Sequence, residues 1–180
     1  MNTRQVRKLA GEDLFRHALM LLGRRALSAS ELRTKLARKA ALAEEVEGIL
    51  LRLKELGYLN DAQFAESYAA VRRDSGSFGK QRVLRDLRLR RVSAGIAEKA
   101  VGTAFENSDE SLLILAWLKR KFKAVDLAEH LQVEKNLASA YRKLRYAGFS
   151  SAASIKVLKQ FGERADELAD SDLPEEREEQ

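Results

Sequence analysis

From about residue 13 to residue 161 the apolar side chains recur at spacings of three and four, the period of an amphipathic helix. Leu14, Ala18, Leu21 and Leu22 predict a first helix from about Asp13 to Arg25. Ser28 and Glu31 form an S-x-x-E capping box, so a second helix follows over Ala29 to Lys39, with Leu32 and Leu36 on its buried side. Glu44 and Glu45 open a third, which carries Val46, Ile49, Leu50, Leu53 and Leu56. Gly57 supplies the left-handed backbone that closes that helix. Asn60 offers its side-chain oxygen to the first N–H groups of a fourth, and Asp61 adds negative charge at its positive end. The fourth helix turns Phe64, Ala65, Tyr68 and Val71 inward.

The pattern continues beyond the loop Asp74 to Gly79. A fifth helix, Lys80 to Arg90, buries Val83, Leu84 and Leu87, and Ser93 caps a sixth with Ile96, Ala100, Val101 and Phe105. A seventh holds Leu112, Leu113, Leu115, Ala116 and Leu118. Val125 to Gln132 forms a short extra turn, an eighth helix runs to Ala147 with Gly148 at its end, and Ser150 opens a ninth that ends near Phe161. The fold class expected is all-α.

The nine helices fall into three sets of three. The middle helix of each set carries a buried leucine among basic neighbours: Leu36 in LRTKLARK, Leu87 in VLRDLRLR and Leu144 in YRKLRYAG. A three-helix unit buries little surface alone, so tandem units that stack into an elongated, curved body are expected. The boundaries are an N-terminal arm over 1–12, repeats over 13–59, 60–107 and 108–161, and a tail over 162–180.

Charge sharpens this picture. Residues 1–105 carry a net +9, residues 106–161 a net +4, and residues 162–180 a net −7. The basic body points to a polyanion or an acidic protein surface as partner. The tail is acidic, poor in apolar residues and holds the only Pro, so it reads as a disordered segment able to fold back on the basic faces. There is no Cys, which excludes disulfides and thiolate chemistry. No apolar run is long enough for a bilayer, and the basic N-terminus lacks the apolar core of an export signal, so a cytoplasmic protein is expected.

The densest basic stretch is residues 71–91, with Arg72, Arg73, Lys80, Arg82, Arg85, Arg88, Arg90 and Arg91. On the fifth helix, Arg82, Arg85 and Arg88 follow at three-residue steps, opposite the apolar positions. Guanidinium groups pair bidentately with phosphates and carboxylates, whereas a solvated helix face would account for the same stripe. A second basic stripe is Arg33, Lys35, Arg38 and Lys39; a third is Arg142, Lys143 and Arg145. With the repeats in phase, all three line one face.

Other residue types carry no chemistry of their own. His17 and His130 lack the partners of a metal site. GSFG lacks the frame of a phosphate-cradling loop, and Ser28, Ser30 and Ser93 suit helix caps better than nucleophiles. Trp117 reads as a core filler, as do Tyr68, Phe105 and Phe149. Neither a catalytic constellation nor a cofactor site emerges, so the chain is expected not to be an enzyme.

The segments ALMLLGRRALSASELRTKL (Ala18 to Leu36) and LKELGYLNDAQFAESY (Leu53 to Tyr68) resemble the RecX family of bacterial recombination regulators. GKQRVLRDLRLRRVS (Gly79 to Ser93) and YRKLRYAGFSSAAS (Tyr141 to Ser154) sit where that family's second and third repeats belong. The resemblance spans about Asp13 to Phe161. It implies three tandem three-helix repeats and a modulator of the RecA recombinase, usually an inhibitor, that lies along the RecA–DNA filament and limits strand exchange, ATP hydrolysis and co-protease activity. The basic residues named above would be the RecA- and DNA-binding positions of a monomer, with DNA as a possible direct ligand. Two other readings remain: a DNA-binding helical protein without a recombinase partner, and a helical adaptor for some other acidic protein. The chain departs from the family in the stretch between Phe122 and Lys135, which is long for a repeat loop, and in the Gly that the family usually has after the residue ending the middle helix. Here Ala40 follows Lys39 and Arg91 follows Arg90, and only Gly148 keeps the pattern. Ala40 and Arg91 predict helix ends that close in another way.

Overall fold

In the computed structural model, which describes residues 8–162 together with Ala165 and Leu168, local signals in the sequence set most helix ends. The helices are α1 (Gly11–Arg24), α2 (Ala29–Lys39), α3 (Glu45–Glu55), α4 (Asp61–Asp74), α5 (Lys80–Leu89), α6 (Ala94–Phe105), α7 (Glu110–Lys121), α8 (Leu127–Gln132), α9 (Glu134–Tyr146) and α10 (Ser151–Leu158). The tenth element is α8, the extra turn expected after Val125. Among the described residues the only β feature is an isolated parallel bridge between Leu9 and Ala40. No helix among them is long and apolar enough to cross a membrane. The expected arm lies outside the described residues up to residue 7, as does most of the expected acidic tail.

The caps act as their chemistry requires. Ser28 accepts from the Glu31 N–H while the Glu31 carboxylate accepts from the Ser28 N–H, which completes the capping box. The Asn60 side chain accepts from the N–H groups of Ala62 and Gln63. Asp61 does more than complement a helix dipole, because its carboxylate accepts from the Ala29 N–H at 2.8 Å and ties the start of α4 to the start of α2. Glu110 plays the same part between α7 and α10, accepting from the Ser150 N–H and hydroxyl, both at 2.7 Å.

Three helices end in the same doubly hydrogen-bonded turn. At α3, Gly57 N–H donates to the Lys54 carbonyl and Tyr58 N–H to that of Leu53; at α9, Gly148 donates to Arg145 and Phe149 to Leu144. At α5 the same pair of bonds runs from Arg91 to Arg88 and from Val92 to Leu87. Arg91 adopts the left-handed conformation, φ 56°, as the only non-glycine with positive φ among the described residues. The expectation of a different closure therefore fails at Arg91, where two backbone hydrogen bonds outweigh the strain of an L-residue. It holds at Ala40, which is extended (φ −62°, ψ 139°) and leaves α2 in register to pair with Leu9. Because Arg91 is exposed and strained, Arg91→Gly should raise stability by about 0.5–1 kcal/mol once the greater unfolded-state freedom of Gly is deducted. Urea unfolding measures this, and an unchanged midpoint would contradict it.

The chain gathers into two compact units. One comprises residues up to Tyr68 with Asp86–Val101, the other Ala69–Arg85 with Gly102 onward, so the divide falls inside α4 and α5. The core of the first is built from Leu14, Phe15 and Ala18 of α1, Leu32 and Leu36 of α2, and Val46, Ile49, Leu50 and Leu53 of α3. The second packs Ile114, Trp117 and Leu118 of α7 with Leu131, Leu137, Tyr141, Leu144, Phe149, Val157 and Leu158; Ala165 and Leu168 also reach this core. Leu36, Leu87 and Leu144, the leucines of the three middle helices, are all fully buried.

The inward assignment of Val71 fails, and not every apolar position of the helical pattern is buried. Val71 is 67% exposed and Leu112 63%, while Leu56 and Ala116 also face solvent. In α7 the buried stripe is Ile114, Trp117 and Leu118. Leu112 precedes Ile114 by two positions, or about 200° around the helix, and so points away. Val71 bears the same relation to buried Ala69, and Leu56 sits at the turn where α3 has ended.

Candidate functional site

The second unit places the end of one helix on the start of another. The opening N–H groups of a helix have no partner within it. At the start of α5, Gly79 N–H donates to the Ala147 carbonyl at 2.8 Å and Gln81 N–H to the Gly148 carbonyl at 3.1 Å. The carbonyl end of α9 thus serves the amide end of α5, a favourable meeting of opposite partial charges. The backbones approach so closely that a Cβ on Gly79 would lie 2.4 Å from the Gly148 oxygen. The loop before α5 is held from the other side, since Arg120, near the end of α7, donates to the carbonyls of Ser75 (2.6 Å) and Gly76 (2.8 Å).

These restraints shape a groove of about 600 Å³. Arg82, Arg120, Lys121, Arg142 and Lys143 line it, together with Phe78, Trp117 and Tyr146. No carboxylate lines it among the described residues, and none pairs there with Lys121, Arg142 or Lys143. The bonds Arg120 makes are to neutral carbonyls, so its charge remains. The Arg82 guanidinium lies 5.3 Å from the Tyr146 ring centroid and 5.9 Å from that of Phe78, and Arg72 lies 5.0 Å from Phe78. The Lys143 ammonium sits 5.3 Å from the Phe122 ring. Tyr146 is 71% exposed. Trp117 is largely buried, edge-on to Phe149, in accord with its reading as a core filler.

The other basic positions divide by what they touch. Arg33 grips Glu47 with two bonds, Nε to Oε1 at 2.5 Å and Nη2 to Oε2 at 2.9 Å. This hydrogen bonding raises the Arg33 pKa and holds the Glu47 carboxyl below its usual range. Arg73 pairs with Asp74 and donates to the Ala104 carbonyl. Arg88 pairs with Glu98 at 3.3 Å. Arg90 is the most engaged: it meets Glu31 at 2.9 Å, lies 5.0 Å from the Tyr68 ring, and through its carbonyl accepts from the Ser28 hydroxyl at 2.6 Å. Arg145 donates to the Phe149 carbonyl and so fastens the corner between α9 and α10. Lys35, Arg38, Lys80 and Arg91 are exposed, Lys39 and Arg85 half-buried. Of the predicted set, the groove brings together Arg82, Arg142 and Lys143.

Arg120, Lys121, Phe78 and Tyr146 were not singled out as binding residues. A signal was present for two of them: Lys121 closes the basic run KRK, and Tyr146 stands four positions after Arg142, on the same helix face. No group of three or more metal-ligating residues exists among the described residues. His17 has its pKa lowered by burial and by the nearby charges of Lys39 and Arg24. The ring of His130 packs 5.1 Å from that of Phe122.

Comparison with known proteins agrees with this architecture. Residues 60–101 match the family described as RecX, second three-helix domain. The chain is 30% identical over 140 residues to the regulatory protein RecX of Syntrophotalea carbinolica, covering 78% of this chain and 90% of that one. It is 34% identical over 147 residues to the regulatory protein RecX of Pseudomonas fluorescens, covering 79% and 88%. The crystal structure of RecX from Lactobacillus salivarius superposes with a TM-score of 0.63 at 17% identity, over 83% of this chain and 95% of that one, and so shares its fold. With this coverage and identity, the chain belongs to the RecX family of regulatory proteins.

Proposed function

We propose that this protein is a non-enzymatic regulator of the RecA recombinase that acts in the cytoplasm. It binds the RecA–DNA filament as a monomer and restrains strand exchange, ATP hydrolysis and co-protease activity. Its basic positions, foremost the exposed Arg142 and Lys143 with the half-buried Arg82 beside them, make the contact.

One observation carries this reading: the groove concentrates five cations with no carboxylate among its described lining residues. A surface that only needed solubility would intersperse both signs. Such a site attracts a polyanion from a distance and binds it in a salt-dependent way. Membership of a family of regulatory proteins supports a regulatory outcome over a catalytic one.

Co-sedimentation with RecA filaments on single-stranded DNA, compared with the same DNA alone, tests the proposal. Retention by the filament, with slowed ATP hydrolysis, is the expected result. Retention by naked DNA alone would replace it with a DNA-binding protein lacking a recombinase partner. Failure to bind either would leave an adaptor for some other acidic protein.

A further inference from the structure

We propose that the acidic segment 169–180 of this chain folds back into the groove of the second unit, with Leu173 on the apolar wall and carboxylates on Lys121, Arg142 and Lys143. The protein thereby holds its own contact surface closed. The docking stands on observations of its own and rests on the filament reading only for what the closed groove withholds.

Three observations choose this occupant. The first is charge. Residues 169–180 hold Asp170, Asp172, Glu175, Glu176, Glu178 and Glu179 against Arg177, a net −5. Lys121, Arg142 and Lys143 are exposed and have no ion-pair partner among the described residues.

The second is attachment. Ala165 and Leu168 are buried in the second core, which also holds Trp117 of the groove wall. The segment therefore departs from the body that carries the groove, and Leu173 follows five residues after the buried Leu168. Five residues span up to about 17 Å and eleven up to about 40 Å, whereas a unit of about 100 residues has a radius of gyration of roughly 13 Å. Tethering over such a distance sets a local concentration on the order of 1 mM, so even a weak contact is well populated.

The third is pattern. The groove sets its cations around Phe78, Trp117 and Tyr146, and Tyr146 is 71% exposed. Leu173 is the one large apolar side chain of residues 169–180, with Asp172 before it and Glu175 and Glu176 after it. A leucine flanked by carboxylates matches an apolar wall flanked by cations. A bare anion would leave that wall uncovered.

The probe is a synthetic peptide of residues 169–180. It contains no aromatic residue, and Trp117 is the only Trp of the chain, so Trp117 emission reports the groove. Anisotropy of a labelled copy gives the affinity. The open variant is the full chain with Asp170→Asn, Asp172→Asn, Glu175→Gln, Glu176→Gln, Glu178→Gln and Glu179→Gln, which keeps the length and the Leu168 anchor. The peptide should bind the open variant and change Trp117 emission. Wild type should take it about ten-fold more weakly at low salt, because a tethered segment near 1 mM excludes a ligand of Kd about 0.1 mM by that factor. The gap should close as salt rises and persist as the protein is diluted. Leu173→Asn in the peptide should weaken binding about ten-fold, the low end of what burying a leucine is worth. Arg142→Glu with Lys143→Glu in the open variant should abolish binding, with circular dichroism showing each fold intact. Equal binding to wild type and open variant, or indifference to Leu173→Asn or to the groove changes, would each overturn the proposal. A gap that fades on dilution would also overturn it, by assigning the groove to the segment of a second copy.

The open variant should also bind the RecA–DNA filament about ten-fold more tightly than wild type at low salt; equal affinities would overturn the closure. Failed peptide tests beside normal wild-type co-sedimentation with RecA filaments would remove this proposal alone. Peptide binding as expected, with neither protein retained by the filament, would remove the filament reading alone.

Discussion

Gly148→Ala should unfold the second unit far more readily than Gly57→Ala unfolds the first, although both glycines close a helix in the same way. Gly57 has φ +76° and Gly148 φ +89°, so alanine at either position incurs the left-handed strain of an L-residue, about 1–2 kcal/mol. The surroundings differ. A Cβ on Gly57 would meet nothing within 4 Å. A Cβ on Gly148 would lie 2.2 Å from the Arg82 nitrogen, 2.5 Å from its Cβ and 2.8 Å from its Cα. These are backbone and near-backbone atoms of α5 that cannot swing aside like the tip of a side chain. To accommodate the methyl, α5 must move off the end of α9, which breaks the bonds from Gly79 and Gln81 to Ala147 and Gly148. Overpacking on rigid atoms adds roughly 1–3 kcal/mol, and the stranded polar groups add about 1–3 kcal/mol more. Gly148→Ala is therefore expected to cost about 4 kcal/mol or more, against about 1 kcal/mol for Gly57→Ala. Urea unfolding followed by Trp117 emission, which reports the second core alone, would measure the first; far-UV circular dichroism would follow both. Equal losses would mean that the close approach of α5 and α9 is absent in solution.

Features legible in the sequence were those decided within a few residues. Ser28 and Glu31 lie three positions apart, and the capping box they imply forms. Gly57 and Asn60 mark the corner between α3 and α4 by turn chemistry that needs no distant partner. The three buried leucines at 36, 87 and 144 follow from helical period alone. Arg91 shows where local reasoning stops: propensity argues against a left-handed arginine, yet two backbone hydrogen bonds impose one.

The fate of the arginines is a long-range matter and was not legible. Arg90 and Glu31 are 59 positions apart, Arg33 and Glu47 are 14 apart, and Arg73 reaches a carbonyl 31 positions on. Helical spacing shows that a guanidinium faces outward; it cannot show which carboxylate another helix brings to it. The groove is hidden for the same reason. Phe78 lies in a loop, Arg120 near the end of α7 and Tyr146 at the end of α9, and the α5–α9 backbone contact together with the bonds from Arg120 to Ser75 and Gly76 brings these three segments together.

The combined variant Lys121→Glu, Arg142→Glu and Lys143→Glu should lose about a hundred-fold or more in affinity for the RecA–DNA filament while remaining folded. Arg142 and Lys143 are exposed on α9, Lys121 is exposed at the end of α7, and none has an ion-pair partner among the described residues. Surface substitutions of this kind usually shift stability by no more than about 0.5 kcal/mol each, and the lost contact of Lys143 with Phe122 adds about 0.5–1 kcal/mol. Binding responds differently, because the change moves the groove by six charges and turns three attractions into repulsions. Each phosphate neutralised on a single strand contributes about 0.7 to the slope of log affinity against log salt. Losing three such contacts should flatten that slope by about 2. Affinity and slope must fall together. A large loss with an unchanged slope would place the damage in the fold, and an unchanged affinity would place the filament contact on some other basic surface of the chain. Restraint of RecA ATP hydrolysis should disappear in parallel, since a regulator that cannot hold the filament cannot slow it.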